Sequence, residues 1–223
     1  MITLALDAST YTGTAALLRS GRVVAECEAT MRGRDAEALM PAVAAVMGRG
    51  GVSPQELSRV ICGAGPGSFT SLRIAASIAK GLAFAVGSPL FAISSLALLA
   101  AGAGAASEGR YLAVLDALRG EAYVGGYSFD SRSTPSVILP DRIVRQEDVA
   151  SVAASIGATT IGPGQSIDLG PHARALPAIE SFIVASRPVD LASREPGYGR
   201  MAEAQRRWEA AHGQPLPGSG TQA

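Results

Sequence analysis

The sequence predicts an α/β protein of two lobes, the first with a ribonuclease-H-like order of elements. Three observations carry this. The chain opens with three apolar strands joined by tight turns, an antiparallel meander. Helices and buried strands then alternate, so that residues 1–107 run βββ-α-β-α-β-α. A second set of strands begins near Gly109, marking a smaller lobe over 108–199.

Each element has a local reason. Residues 2–8 are a buried strand, Thr10 to Gly13 a turn and 14–19 a second strand. Ser20-Gly21 turns into a third strand at 22–29. Ala36, Leu39, Met40, Val43, Val46 and Met47 recur at spacings of three and four, which predicts an amphipathic helix over about 34–48, ended by Gly48 to Gly51. Ser53-Pro54 with Glu56 is a capping box. Residues 59–63 are a buried strand of the parallel type, followed by a glycine-rich turn and a long helix over about 70–86. On that helix Ile74, Ile78 and Leu82 form a ridge, surrounded by Ala75, Ala76, Ala79 and Ala83. Such a small-residue face fits either tight packing on its own sheet or close approach of a partner helix. Residues 90–93 are a short strand, and Ser94 or Ser95 caps an Ala-rich helix to about Ala106. In the second lobe, 111–117 and 121–129 are strands around the Leu118-Arg119-Gly120 turn, and 136–139 is an edge strand. A helix at about 146–156 leads to a strand at 158–161, closed by Gly162-Pro163-Gly164. A helix near 177–186 is broken by Pro188. Residues 200–211 are a final amphipathic helix that packs back on the first lobe, and 213–223 is a polar, disordered tail.

Composition narrows the function classes. Hydrophobic residues make up 48% of the 223, enough for a real core. Nineteen basic residues balance nineteen acidic ones, so the basic excess of a dedicated nucleic-acid binder is absent. Cys27 and Cys62 form no CxxC or Cys/His cluster and read as two ordinary thiols in a reducing cytosol, with no structural metal. The N-terminus lacks the basic region of a signal peptide. Gly81 to Ser107 is uncharged, but Gly87-Ser88-Pro89 divides it into pieces too short to span a membrane. These features predict a cytoplasmic protein without a membrane partner.

Two segments are candidates for chemistry. Asp7-Ala8-Ser9-Thr10, with Gly13 beyond, lies at a strand end, where hydroxyls and backbone N–H groups can cradle a phosphate and Asp7 can face Mg²⁺. Strand-end Asp, Ser and Thr are also ordinary turn-formers. The second segment, Gly63 to Arg73, lacks the Gly-Lys-Ser/Thr of a P-loop. Ser68 or Thr70 can cap the following helix, and Phe69 with Arg73, one turn apart, suits a protein contact. His172 and His212 have no metal-ligand spacing, and no GxSxG elbow exists. Asp116 and Glu121 flank a hairpin with Arg119 and read as a solvated turn.

Four motifs in order resemble a known family: Asp7-Ala8-Ser9-Thr10; Gly65-Pro66-Gly67-Ser68-Phe69-Thr70-Ser71-Leu72-Arg73-Ile74; Asp116-Ala117-Leu118-Arg119-Gly120-Glu121-Ala122-Tyr123; and Glu195-Pro196-Gly197-Tyr198-Gly199-Arg200. Over roughly residues 1–200 the chain resembles the TsaB (YeaZ) family, partner subunits in tRNA threonylcarbamoyladenosine synthesis. The resemblance implies an actin/Hsp70-like ATPase fold and a non-catalytic role. The implied partners are a TsaD-like transferase, acting at adenosine 37 of tRNAs that read ANN codons, and a TsaE-like small ATPase. It implies pairing through the helices at 34–48 and 70–86, which assigns Arg34, Leu39, Met40, Val43, Met47, Gly65, Pro66, Gly67, Ser68, Phe69, Thr70, Leu72, Arg73 and Ile74 to a partner interface. Asp7, Ser9, Thr10 and Gly13 are then candidate nucleotide contacts at the complex interface, and the chain needs no cofactor of its own. tRNA is touched at most indirectly, and an exposed apolar helix face favours a homodimer when the partner is absent. The HxxxH metal pair of the transferase is missing. The chain departs from the family pattern at Gly33-Arg34-Asp35-Ala36-Glu37, where His is frequent, at Ser71, where Gly is usual, and at Gly199. The alternative is a stand-alone ATPase or small-molecule kinase of the same fold. A peptidase reading finds no metal pair or assembled nucleophile.

Overall fold

A computed structural model describes residues 1–32, 38–104, 107–130, 133–191, 208 and 211–214. The opening meander forms as the turn signals dictate: β1 (Ile2–Asp7), β2 (Thr12–Arg19) and β3 (Arg22–Thr30) pair antiparallel. Ser20 and Gly21 both adopt positive φ at the β2–β3 hairpin. Then come α1 (Leu39–Arg49), β4 (Arg59–Gly63), α2 (Phe69–Val86), β5 (Leu90–Ile93) and α3 (Ser95–Gly104). β4 runs parallel to both β1 and β5, giving a five-stranded sheet of order β3-β2-β1-β4-β5. This is the ribonuclease-H-like arrangement.

The second lobe repeats it in part. β6 (Gly109–Asp116), β7 (Glu121–Asp130) and β8 (Ser133–Arg145) form another antiparallel meander. After α4 (Val149–Ser155), β9 (Thr159–Ile161) adds parallel to β6, giving the order β8-β7-β6-β9. Position for position this is the first sheet without its fifth strand. The repeat reaches local sequence. β1 and β6 both end in an Asp followed by Ala, at Asp7-Ala8 and Asp116-Ala117, and Gly-Pro-Gly comes after both β4 and β9, at residues 65–67 and 162–164.

α3 lies between the sheets. Eight of its ten residues are buried, from Ser95 to Ala101 and Ala103, so it has no polar face. A helix apolar all round belongs in a core. It packs on β6 and β7 and on the 3-10 segment Ala173–Ile179. One core therefore joins Ala5, Ala16 and Ile61 of the first sheet to Tyr111, Ala113 and Tyr127 of the second. A second cluster lies on the other face of the first sheet, under α1 and α2. The segment from Gly81 to Ser107 is accordingly broken: Gly87 closes α2 in a left-handed C-cap before β5 and α3. By length and composition α2 alone, among the described residues, is long and apolar enough to cross a membrane.

Several expected boundaries change. The edge strand expected at 136–139 is thirteen residues long, because Pro135 and Pro140 are tolerated on an edge whose N–H side is free. The helix expected at 146–156 is a 3-10 turn followed by α4. The helix expected near 177–186 is the 3-10 segment Ala173–Ile179, which contains Pro177, running into α5 (Glu180–Val184). His172 caps that segment: its Nδ1 accepts from the Arg174 N–H at 3.0 Å. Burial and the neighbouring Arg174 charge hold the imidazole below its ordinary pKa. Arg34, most of the helix at 200–211 and most of the tail lie outside the described residues.

Candidate functional site

The ends of β1 and β4 meet in one knot. Asp7 Oδ1 accepts from the Ser9 N–H at 2.9 Å and the Ser9 hydroxyl at 2.7 Å. Its Oδ2 accepts from the Ser95 hydroxyl at 2.5 Å. Ser95 Oγ in turn accepts from the Gly65 N–H at 3.1 Å, and the Ser68 N–H donates to Ser9 O at 2.7 Å. Two glycines are required here. A Cβ on Gly63 would sit 1.9 Å from Asp7 Oδ2, and one on Gly67 would sit 2.1 Å from Ser9 O. The Gly65–Pro66 peptide is cis. Gly65 and Pro66 are thus buried turn residues.

This geometry bears on the expectation that Asp7 can face Mg²⁺. Asp7 has no exposed surface, and Ser9 is only 3% exposed. Burial pushes the Asp7 carboxyl above the ordinary aspartate value of 3.8, against the opposing pull of its Ser95 and Ser9 hydrogen bonds. The Ser9 hydroxyl and N–H and the Ser95 hydroxyl are engaged by the chain's own Asp7 carboxylate. Mg²⁺ and a phosphate do not fit this arrangement. Thr10 turns back on itself, its hydroxyl donating to Thr12 O, and Gly13 lies against Met31. Among the described residues no three His, Cys, Asp or Glu side chains converge on a metal position.

α2 shows the opposite character, a helix left half uncovered. Ser71, Leu72, Ala75, Ala79 and Ala83 are its buried residues, five of eighteen. The small-residue face therefore packs on the chain's own sheet, because only alanine lets the helix axis approach β4 and β1. Ile74, Ile78 and Leu82 are half-buried along its flank. The outer side carries Phe69, Arg73, Ser77 and Phe84, with Phe84 80% exposed. The Arg73 guanidinium lies 4.8 Å from the Phe69 ring centroid. Ser68 occupies the N-cap position, but its hydroxyl pairs with Ser71 Oγ at 3.0 Å rather than with a backbone N–H. Ser71 has this role.

The expected interface residues divide accordingly. Leu39, Val43, Met47 and Leu72 point into the chain's own core, since the apolar stripe of a surface helix covers its sheet first. Met40, Phe69, Thr70 and Arg73 stand at the surface, and Gly67, Ser68 and Ile74 are half-buried. Phe84 was not among the expected residues. Its signal is helical phase, eleven residues after Arg73 and so on the same face.

The Asp116–Glu121 hairpin is a turn. Asp116 Oδ1 accepts from the Leu118 N–H at 2.6 Å, and the Glu121 N–H donates to Leu118 O. Leu118, Arg119 and Gly120 all have positive φ, an uncommon arrangement for the first two.

Fold and site define a two-lobed protein of actin/Hsp70-like architecture whose strand-end Asp7 is bound by the chain's own hydroxyls. Comparison with known proteins places it further. Residues 31–168 match the family model for "TsaD: tRNA N6-adenosine threonylcarbamoyltransferase". The chain is 32% identical over 228 residues to the tRNA threonylcarbamoyladenosine biosynthesis protein TsaB of Bacillus subtilis, covering 93% of this chain and 98% of that one. It is 33% identical over 145 residues to the protein of the same name from Escherichia coli, covering 62% of each. Among solved structures, YeaZ from Pseudomonas aeruginosa aligns with a TM-score of 0.72 at 27% identity, covering 87% of this chain and 98% of that one. The chain belongs to the family that model describes and, within it, to the TsaB proteins.

Proposed function

We propose that this chain is a non-catalytic partner subunit in the formation of N6-threonylcarbamoyladenosine at position 37 of tRNAs reading ANN codons, paired with a TsaD-like transferase through the outer faces of α1 and α2. One observation carries the reading: an eighteen-residue apolar helix buries only five residues and leaves Phe84 80% exposed. Exposed aromatic and Arg side chains on a continuous helix face are what interface centres are made of. Met40, 40% exposed on α1, which touches α2, adds a second exposed apolar side chain on this pair of helices. The closed Asp7 knot supports the absence of a phosphoryl reaction in this subunit. A TsaE-like ATPase then joins the assembly, tRNA is held by the other subunits, and the chain works in the cytoplasm. Alone, it pairs with a second copy through the same apolar patch. The first lobe, residues 1–107, carries the interface, and the second, 108–199, supports it.

Size-exclusion chromatography with light scattering, on this chain mixed with the TsaD-like subunit of the same organism, tests the reading. A stoichiometric complex is expected. Phe84→Ala, and Phe69→Ala with Arg73→Ala, should each weaken it by about tenfold or more, ~1.4 kcal/mol. Melting temperatures should stay near wild type, because these side chains are exposed. Wild-type affinity in both variants removes the proposed surface. Sustained ATP turnover by the purified chain favours the stand-alone ATPase or kinase.

A further inference from the structure

Ser94 and Ser95 are neighbours where β5 hands over to α3, and their hydroxyls reach opposite lobes. Ser95 donates to Asp7 at the end of β1. Ser94 donates to Asp141 Oδ2 on β8 at 2.5 Å. The Tyr127 hydroxyl on β7 donates to Asp141 Oδ1 at 2.7 Å and lies 3.3 Å from Ser94 Oγ. Ser94 Oγ also accepts from the Leu96 and Ala97 N–H groups, so the same atom caps α3. Each carboxylate is seated against a glycine. A Cβ on Gly63 would lie 1.9 Å from Asp7 Oδ2, and one on Gly125 would lie 2.3 Å from Asp141 Oδ1.

We propose that Ser94 and Ser95 form an interlobe clasp, each hydroxyl holding the carboxylate of one lobe, and that this clasp fixes the angle between the two sheets. Elsewhere the sheets share the apolar cluster around α3, and the segment that follows β9 reaches the first sheet through the Arg59–Glu180 ion pair at 2.5 Å and the Ala173 N–H donating to Thr14 Oγ1 at 3.1 Å, so Ser94–Asp141 is the polar contact that ties β8 to the first lobe. Apolar contact is non-directional and tolerates sliding, whereas hydrogen bonds fix geometry. Shear closure of two-lobed proteins consists of such sliding. The two arms differ in strength. Asp7 is fully enclosed, while Asp141 is exposed and competes with water. The Asp141 arm is therefore the one that releases. Tyr127, almost completely buried, holds its hydroxyl protonated, since burial and the Asp141 charge both raise its pKa. The donor to Asp141 thus persists across the working pH range. The clasp stands independently of any partner and is tested on the chain alone.

Paired spin labels report the lobe angle. Val24 on β3 and Val137 on β8 are 46% and 53% exposed and lie on the outer strands of the two sheets. Both are changed to Cys in a Cys27→Ser background. Cys62 is buried with its thiol pKa pushed up to about 12, so it is not labelled. Pulsed dipolar spectroscopy of this chain should give one narrow distance distribution. Asp141→Ala should broaden it to roughly twice its width, as expected when a shear constraint is lost. Ser94→Asp keeps a good N-cap acceptor but sets a second carboxylate against Asp141. It should broaden the distribution with helix content unchanged, which loss of a mere cap would not do. A distribution as narrow as wild type in Ser94→Asp overturns the clasp, and so does one in Asp141→Ala.

Discussion

Asp7 receives three hydrogen bonds and is fully buried, and its chemistry follows from that. Its carboxyl is raised above 3.8, chiefly by burial. Below 3.8 it is protonated in both the folded and the unfolded chain. As pH rises the unfolded chain releases its proton first, so the contribution of Asp7 to stability falls until its folded pKa is passed. Asn at this position keeps an acceptor for Ser9 and has nothing to ionise. Urea midpoints from pH 4 to 7 should therefore move progressively in favour of Asp7→Asn over wild type. A pH-independent gap would show that the carboxylate is not held against its ionisation. Asp7→Ala should cost on the order of 2–4 kcal/mol at any pH, because it strands the buried Ser9 and Ser95 donors. The sequence motif here reads equally as a phosphate cradle and as a turn, since the donors that bind phosphate also bind a carboxylate. The deciding contact comes from Ser95, 88 residues away.

At the scale of the element, α2 has two faces with different tasks. Its Ala75, Ala79 and Ala83 side is fully buried against the sheet. Ala79→Leu adds three carbons where none fits and should destabilise by about 1–3 kcal/mol. Phe84→Ala, five residues on, should leave chemical denaturation unchanged within ~0.5 kcal/mol, as a surface change does. Denaturation curves of the two variants check the assignment: equal losses would mean that the faces are misassigned. The helix and its alanine spacing are legible in the sequence. Which face meets the sheet is not, because alanine packs as well against a strand as against a partner helix. The full length of the edge strand β8 is hidden in the sequence for a related reason. Proline weakens a strand only where its missing N–H is needed, and only the sheet order shows β8 to be an edge. The capping box at Ser53 and Glu56, by contrast, formed as written, with the Ser53 N–H donating to Glu56 Oε2 at 2.8 Å. Its partners are three residues apart, so nothing distant could change it.

At the scale of the molecule, the lobes share their largest core. α3 has no solvent face, and it shares one apolar core with residues of both sheets and of the segment at 173–179. Neither lobe can lose α3 and stay closed. Unfolding should therefore be a single transition, with calorimetric and van't Hoff enthalpies in agreement. Two resolved transitions would show separable lobes. The repeated strand order and the paired Asp-Ala and Gly-Pro-Gly turns give each lobe the same plan. Their chemistry differs, since Asp7 is enclosed while Asp116 makes an exposed turn.

The sequence by itself determined the α/β class, the meander-then-crossover order and the family, because periodicity, turn chemistry and local motifs act over a few residues. The same short range located the Asp7 and Gly65 to Arg73 segments. Only the tertiary structure decided that Asp7 is sealed, that Leu39, Val43, Met47 and Leu72 belong to the core, that Phe84 faces outward, and that Ser94 and Ser95 bind carboxylates of different lobes. These are facts of burial and of contact between residues distant in the chain, and they are set by how the two sheets close on α3.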